Sequence, residues 1–449
     1  MPRATGRGAA YTAAMSTSTS PAVIDRAAFR AWFPALASDT VFLENAGGSQ
    51  VPGVVADAMA TYMTSCYVQL GAGYPESDQA DAVVDGAHAF AERLMGGETA
   101  GRAALGPSTS QLVAMLAGSL APRLGPGDEI VAMEAGHEAN LGPWVRLAES
   151  TGATLRWWKV DPSTGESSLE DLAALLGPST RVVAAVHVSN LMGHALDAKA
   201  LADVVHAHSS ARVVLDGVAF APHRAVDVEA WGVDWYVDST YKVYGPHMAM
   251  LWGRHEAWAE LTSPYHFFTH DEAVPHPFEV GGANHEGCAG LLALAPYLAE
   301  VASLGRGHAP GGPPAERLTV PQLLEAAGAL TRGDITDAFA CMEAAERPLQ
   351  QRLLEWLASR PEARVIGRAV DGPERVPTIA FVVPGRRSSE LASAAHAAGV
   401  ALRHGHNYAH RLATAMGLDT DEGPVRVSAV HYNTPEEIER AITALDAAF

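Results

Sequence analysis

Two residues in the stretch 214–253, Asp216 and Lys242, have the types and spacing to do chemistry together. The apolar, β-branched run Arg212-Val-Val-Leu ends in Asp216, which predicts a buried parallel strand delivering a carboxylate at its C-terminal tip. A second apolar segment, Val233-Asp-Trp-Tyr-Val, leads into Ser239-Thr-Tyr-Lys242 and the breaker pair Gly245-Pro246. It predicts a lysine held in a short polar turn. An acid at a strand end paired with such a lysine is what pyridoxal 5'-phosphate (PLP) chemistry needs. The lysine forms a Schiff base, and the carboxylate keeps the pyridine nitrogen protonated so that the ring accepts electrons. Taken singly, Asp216 reads as a turn residue and Lys242 as a solvated surface lysine. A third feature lies upstream, where Gly106-Pro107 precedes Ser108, Thr109 and a long apolar helix pattern. Amides at a helix N-terminus together with hydroxyls make an anion site, although in isolation an ordinary N-cap is the commoner meaning.

The elements that must position these residues alternate short apolar strands with helices. Helical spacing runs over Gln79–Met95, Ser168–Leu176, Ala198–His208 and Ile335–Ser359. Strand patterns end at or just before His137, Asn190 and Asp216. This alternation predicts an α/β fold with a mostly parallel, helix-flanked sheet, in which ligands gather beyond the strand C-termini. A short amphipathic helix is expected over residues 25–40, with Phe29, Trp32 and Phe33 facing inward. At 449 residues the chain exceeds one core, so two domains are the default. Its net charge of −20, without a basic block, argues against nucleic acid and anionic membranes as partners. Cys66, Cys288 and Cys341 are widely spaced, which suggests a reducing compartment and no disulfide or zinc framework. Residues 1–24 have the composition of a disordered tail, without the apolar core of a secretory signal, and translation could begin at Met15. No apolar run is expected to reach bilayer-spanning length, and the localisation read from this is cytoplasmic.

The pattern D-G-x-x-x-x-P-H at Asp216, the Ser239-x-x-Lys242-x-Tyr-Gly-Pro turn and further matches from about Phe42 to the C-terminus resemble class V, fold-type I PLP enzymes, most closely the cysteine desulfurase branch. The resemblance implies a PLP-dependent transferase fold with a smaller α/β C-terminal domain. It implies that Ser108 and Thr109 hold the PLP phosphate, with Ser239 and the Tyr241 hydroxyl nearby. His137, first in His-x-Ala-Asn140, would stack on the pyridine ring and assist proton transfer, and Asn190, ending His187-Val-Ser-Asn, would lie near the phenolic oxygen. Phe278-Glu-Val-Gly281-Gly282-Ala-Asn284 matches a turn that reaches the neighbouring subunit's cofactor. A glycine stands at the family's threonine position, so only the Gly282 backbone contact carries over. Asn45, in the strand-to-glycine turn Val41–Pro52, would line the substrate pocket. Arg426, in Arg-Val-Ser428…Tyr432-Asn-Thr434, would clamp the substrate α-carboxylate through its bidentate guanidinium.

The family's cysteine-bearing loop reads here Arg403-His-Gly405-His406-Asn407-Tyr408-Ala409, with Tyr408 at the cysteine position and His406 at the substrate entrance. A phenol with an ordinary pKa near ~10 does not take up sulfur as a thiolate does. Ala219 replaces a glutamine that commonly contacts the cofactor, and Tyr241 replaces a histidine. His404, His406 and His410 could converge on zinc if the loop were extended, but the resemblance assigns the loop to substrate entry and no metal is expected. The domain division that follows is a segment 25–60 contributing to the small domain and substrate pocket, a PLP domain over 61–330 and a small domain over 331–449. The expected activity is on a small α-amino acid in a homodimer, with Lys242 moving a Cα proton and β-elimination of the C–S lyase type following. Transamination and epimerisation are alternatives, and a non-catalytic sulfur-relay partner is the alternative of another class. A dinucleotide enzyme is disfavoured, because no G-x-G-x-x-G follows the first strand and there is no P-loop.

Overall fold

The computed structural model describes residues 25–264, 266–270 and 273–449. The tail expected over residues 1–24 and the Met15 start lie outside these residues.

A seven-stranded sheet forms the centre. Its spatial order is Gly101–Gly106, Ala249–Arg254, Trp235–Ser239, Arg212–Asp216, Thr180–Val186, Glu129–Met133 and Thr154–Trp158. Only Ala249–Arg254 runs antiparallel to its neighbours. Alternate residues of the central strands feed two different cores. Val182, Ala184, Val214 and Val237 pack with Leu112, Leu116 and Trp144 from the helices Thr109–Leu120 and Glu138–Thr151. Val183, Ala185, Val213 and Leu215 pack on the opposite face with Val83, Phe90 and Leu201 from the helices Pro75–Leu94 and Ala198–His208. Covering both faces is why these strands read as unbroken apolar runs.

A second, antiparallel sheet of Arg403–His404, Val425–Ser428, Thr378–Val382 and Arg364–Val365 has its own core around Ile379, Phe381, Val427, Ile438 and Trp356. The N-terminal segment is woven into this part of the molecule. Val41–Phe42 pairs in parallel with Val400–Ala401, and Glu44 bridges to Ser428. The helix expected over 25–40 is shorter, Arg26–Arg30, and a 3-10 turn at Pro34–Ala37 follows it. Pro34 lacks the N–H that would continue an α-helix. Phe29, Trp32 and Phe33 are nevertheless buried.

Two expectations need correction. The stretch His285–Gly305 is 21 residues long and apolar enough to cross a bilayer by length and composition, so the chain does contain such a run. It is a pair of core helices, His285–Leu292 and Leu294–Gly305, with 72% of its most apolar window buried in the fold. A segment apolar on all sides needs protein around it as much as lipid. The second correction concerns Asn45. Its amide nitrogen lies within 3.0 Å of the Phe42 carbonyl oxygen, 2.8 Å of the Ser428 carbonyl oxygen and 3.1 Å of Asn433 Oδ1. Its oxygen accepts from the Tyr432 hydroxyl. The side chain is thus a buried cross-link between the two ends of the chain and offers no group to a substrate.

Asn45→Ala should therefore lower the unfolding free energy by about 2–4 kcal/mol, since it strands several buried polar groups at once. Urea titration is the measurement, and a loss below about 1 kcal/mol would show that water replaces the cross-link.

Candidate functional site

Three parallel strands run out at the same edge, and each is followed by a polar residue. Asp216 ends its strand, while His137 and Asn190 lie four residues beyond the ends of theirs. Gly217 lets Asp216 approach its neighbour, because a Cβ there would sit 2.0 Å from the Tyr236 ring. The Trp235–Ser239 strand then passes into the turn Thr240–Lys242, which brings the amine to the same edge. Together these residues line one pocket of about 560 Å³, with Ser108, Thr109, Ser110, Ser239, Tyr241 and His247 among its walls.

The charged groups of this pocket are almost entirely out of water. Asp216 Oδ1 accepts from the Val218 amide at 3.0 Å. Burial pushes its carboxyl up to about 6 against that bond and the attraction of Lys242. Burial pulls the Lys242 amine down to about 8, assisted by Arg426 and opposed by Asp216 and Glu44. His137 caps the helix Glu138–Thr151 through Nδ1, which accepts from the Ala139 amide at 3.0 Å. Any proton on the neutral ring therefore sits on Nε2. Burial, with Lys242 and Arg426 nearby, lowers this imidazole to about 4.

Also in the pocket wall, Ser108 caps the twelve-residue helix Thr109–Leu120, accepting from the Gln111 amide. The Thr109 hydroxyl lies 2.7 Å from Ser239 Oγ. Tyr241 stacks on His247 with ring centroids 4.4 Å apart. Asn190 donates from Nδ2 to the Asn407 carbonyl oxygen at 2.7 Å, and its buried Oδ1 has no partner. A helix N-terminus with hydroxyls, a buried carboxylate and an amine lining one pocket fit a phosphorylated pyridine. The orphaned Asn190 oxygen marks polar capacity that the protein alone does not satisfy.

Other expected residues are placed elsewhere. Arg426 is not in the pocket wall. It is buried beside Asn190, donating from Nη1 to the Asn190 carbonyl oxygen at 3.0 Å and leaving Nε unpaired. His406 sits on the loop, its Nδ1 accepting from the Tyr408 amide at 3.1 Å. Gly282 is exposed in a left-handed turn, φ 89°, away from the pocket. His404 contacts the Glu422 carbonyl oxygen at 3.0 Å while His406 and His410 meet edge to face. Among the described residues no group of three histidine, cysteine or acidic side chains is arranged to hold a metal.

The pocket also contains residues that the sequence reading passed over. His247 and Ser110 line it, and the signals were adjacent, since each directly follows a motif already in view. Asp238, which neighbours Asp216 without lining the pocket, was also missed, because one acid among apolar residues resembles any strand polar position. It is fully buried, one residue past the register partner of Asp216, and its Oδ1 is unpaired. Burial and the neighbouring Asp216 push its carboxyl up to about 8.

The loop carrying Tyr408 is fastened to the site by its backbone. The Asn407 carbonyl accepts from Asn190 and the Tyr408 carbonyl accepts from the Glu138 amide at 2.9 Å. Both residues have positive φ, 49° and 62°, which costs about 1–2 kcal/mol each for residues with a Cβ. The Tyr408 ring lies 5.2 Å from that of His137. None of the three cysteines lines the pocket, and burial raises the pKa of each.

Comparison with known proteins places this geometry among relatives. The family model for class V aminotransferases matches residues 41–304 and 333–441. The aminotransferase-like protein FGM3 of Gibberella zeae is 38% identical over 427 residues, covering 93% of this chain and 96% of its own length. The cysteine desulfurase-like protein ustD of Aspergillus flavus is 30% identical, covering 94% of this chain and 90% of its own. Among solved structures, the cysteine desulfurase CsdA of Escherichia coli superposes with a TM-score of 0.76 at 26% identity, over 95% of this chain and 98% of that one.

The buried acids give a pH prediction. Between the ordinary carboxyl range and about 8, folded Asp238 keeps a proton that the unfolded chain releases. The folded state binds more protons there, so its stability falls as pH rises through that window. Asp238→Asn removes this loss. Urea unfolding of cofactor-stripped protein should find the variant more stable by on the order of 3 kcal/mol near pH ~8 and little changed near pH ~4.5. Equal stability near pH ~8 would mean that Asp238 ionises without cost.

Proposed function

The chain belongs to the class V aminotransferase family, with PLP as its cofactor, and from that premise we propose that it acts on an α-amino acid by β-elimination, as a C–S lyase that uses no enzymic persulfide. The observation that carries this reading is a pocket holding a buried, partly deprotonated lysine beside a carboxylate, with no thiol in its walls.

PLP, when bound, supplies an electron-accepting ring that takes up the negative charge left at Cα. Asp216 would pair with the ring nitrogen and keep it protonated, the low-dielectric strand end strengthening the attraction between the carboxylate and the pyridinium. Ser108, Thr109, Ser239 and Tyr241 hold the phosphate against the helix N-terminus. His137 would stack on the ring, and Asn190 would lie near its phenolic oxygen. Arg426 does not line the pocket but lies within electrostatic reach of Lys242 and His137, and it would clamp the substrate carboxylate through its buried, unpaired Nε. Lys242 takes the Cα proton, and its amine, held near 8 by burial, is a competent base near neutral pH. A leaving group on Cβ then departs as the electrons move from Cα, and no protein sulfur is required.

Residues 61–330 are read as the cofactor domain and 331–449 as the small domain, with 25–60 tied to the latter. The working unit is read as a homodimer. The exposed Phe267 and Phe268, and the exposed Val280 next to the Gly281–Gly282 turn, support apolar surface covered by a second copy. A cytoplasmic location fits the three unpaired cysteines.

Incubation with L-cysteine, assaying sulfide, pyruvate and alanine together, tests the reading. Sulfide with pyruvate in equal amounts is the expected result, abolished in Lys242→Ala along with the cofactor's lysine-linked visible absorbance. Alanine with transferable sulfur would overturn it in favour of a desulfurase independent of the loop cysteine. An unchanged visible band in Lys242→Ala would remove the lysine from its role.

A further inference from the structure

Two residues beyond Lys242 the backbone passes through Tyr244, whose φ of 64° is left-handed. A tyrosine keeps that conformation only where its surroundings hold it. Here the phenol is fully buried and donates to the Pro222 carbonyl oxygen at 2.8 Å. With its proton committed, the hydroxyl can only accept in its 3.1 Å contact with His431 Nδ1, so His431 carries a hydrogen on Nδ1. Nε2 is then the acceptor for the Tyr297 hydroxyl, which meets it from the helix Leu294–Gly305. Burial holds this imidazole well below its ordinary pKa, in keeping with a neutral ring.

The two partners sit on the two pieces of chain whose relative placement matters. His431 follows, by three residues, the strand Val425–Ser428 that carries Arg426. Tyr244 belongs to the turn that carries Lys242. Ser49 grips that turn from the other side: its hydroxyl lies 3.0 Å from the Lys242 carbonyl oxygen and accepts from the Tyr244 amide at 3.2 Å. Phe33 packs edge-on against Tyr244, and Phe29 does the same against His431. The rings would therefore stay in place if the hydrogen bond alone were lost.

We propose that Tyr244 and His431 are positioning residues, whose mutual hydrogen bond sets the register between the Lys242 amine and the Arg426 guanidinium. A substrate clamped by its carboxylate then presents Cα to the base at a distance fixed by that bond. The proposal rests on the roles given above to Lys242 and Arg426. Its test separates the two readings.

In the holoenzyme, Tyr244→Phe is compared with Tyr432→Phe. The Tyr432 hydroxyl is as deeply buried, and it accepts from the Gln50 amide at 3.0 Å and donates to Asn45, without touching the lysine turn. Visible circular dichroism of the bound cofactor reports the orientation of the lysine linkage, and kcat and KM are read with L-cysteine as the probe. Tyr244→Phe is expected to change the dichroic band and lower kcat by about 10- to 100-fold with KM moved less than about threefold. Tyr432→Phe, at a comparable loss of Tm, should leave both near wild type. If Tyr244→Phe behaves as wild type, or Tyr432→Phe shows the same losses, the proposal is overturned. Should Tyr244→Phe fail to fold, His431→Asn, which keeps an N–H toward Tyr244, is compared with His431→Leu, which does not. Loss of the dichroic band in His431→Leu alone supports the proposal, and equal behaviour of the pair sinks it. A wild-type protein without any visible band would instead defeat the Lys242 assignment itself.

Discussion

Everything near the pocket follows from holding a carboxylate and an amine out of water beside one another. Burial drives each toward its neutral form, raising Asp216 and lowering Lys242, while their attraction and the Val218 amide work the other way. The balance leaves both groups titrating close to neutrality, which is where a base and a ring partner are useful. Such a balance survives only if the groups cannot move apart. The parallel sheet supplies that rigidity, because Asp216 is the last residue of a strand buried on both faces and Lys242 sits in a turn fastened at Thr240, Ser49 and Tyr244.

That requirement explains how closely the chain ends are bound to the site. Ser49, from the N-terminal segment, and His431, from the C-terminal one, both reach the lysine turn, and Asn45 ties those segments to each other. An aromatic cluster of Phe29, Phe33, Tyr244, Tyr297 and Tyr432 fills the space between them. Charge geometry at the pocket is therefore supported by packing some distance behind it. Asp238 sits in the same region as an acid with an unpaired oxygen. In that medium it is held mainly as the neutral acid at neutral pH.

The mouth is organised differently. The loop around Tyr408 accepts two backbone strains and is held by carbonyl bonds to Asn190 and Glu138, with Arg411 bridging to the Glu138 carboxylate. Where a thiol would be needed for sulfur transfer, a phenol stands beside His137. The pocket accordingly holds the Lys242 amine and the Asp216 carboxylate but no thiol among its lining residues.

Much of this was legible in the sequence because it is local. Uninterrupted apolar runs announced strands buried on both faces, helix periodicity placed the crossovers, and Asp216, Lys242, Ser108 and Asn190 each sit where strand ends or helix starts put them. The resemblance of the Asp216 and Lys242 motifs to class V PLP enzymes implied the cofactor before any coordinates. What the sequence could not decide depended on distant partners. Asn45 and Arg426 look equally available on paper, yet Asn45 is saturated by groups about 385 residues away, whereas Arg426, hydrogen-bonded to the Asn190 carbonyl, keeps one nitrogen unpaired. His285–Gly305 has the composition of a bilayer span, and only its packing makes it a core element. The ionisation of Asp238 and the tautomer of His431 were equally hidden. Periodicity is a property of neighbours along the chain, whereas hydrogen-bond saturation and desolvation are properties of neighbours in space, and only the tertiary structure sets those.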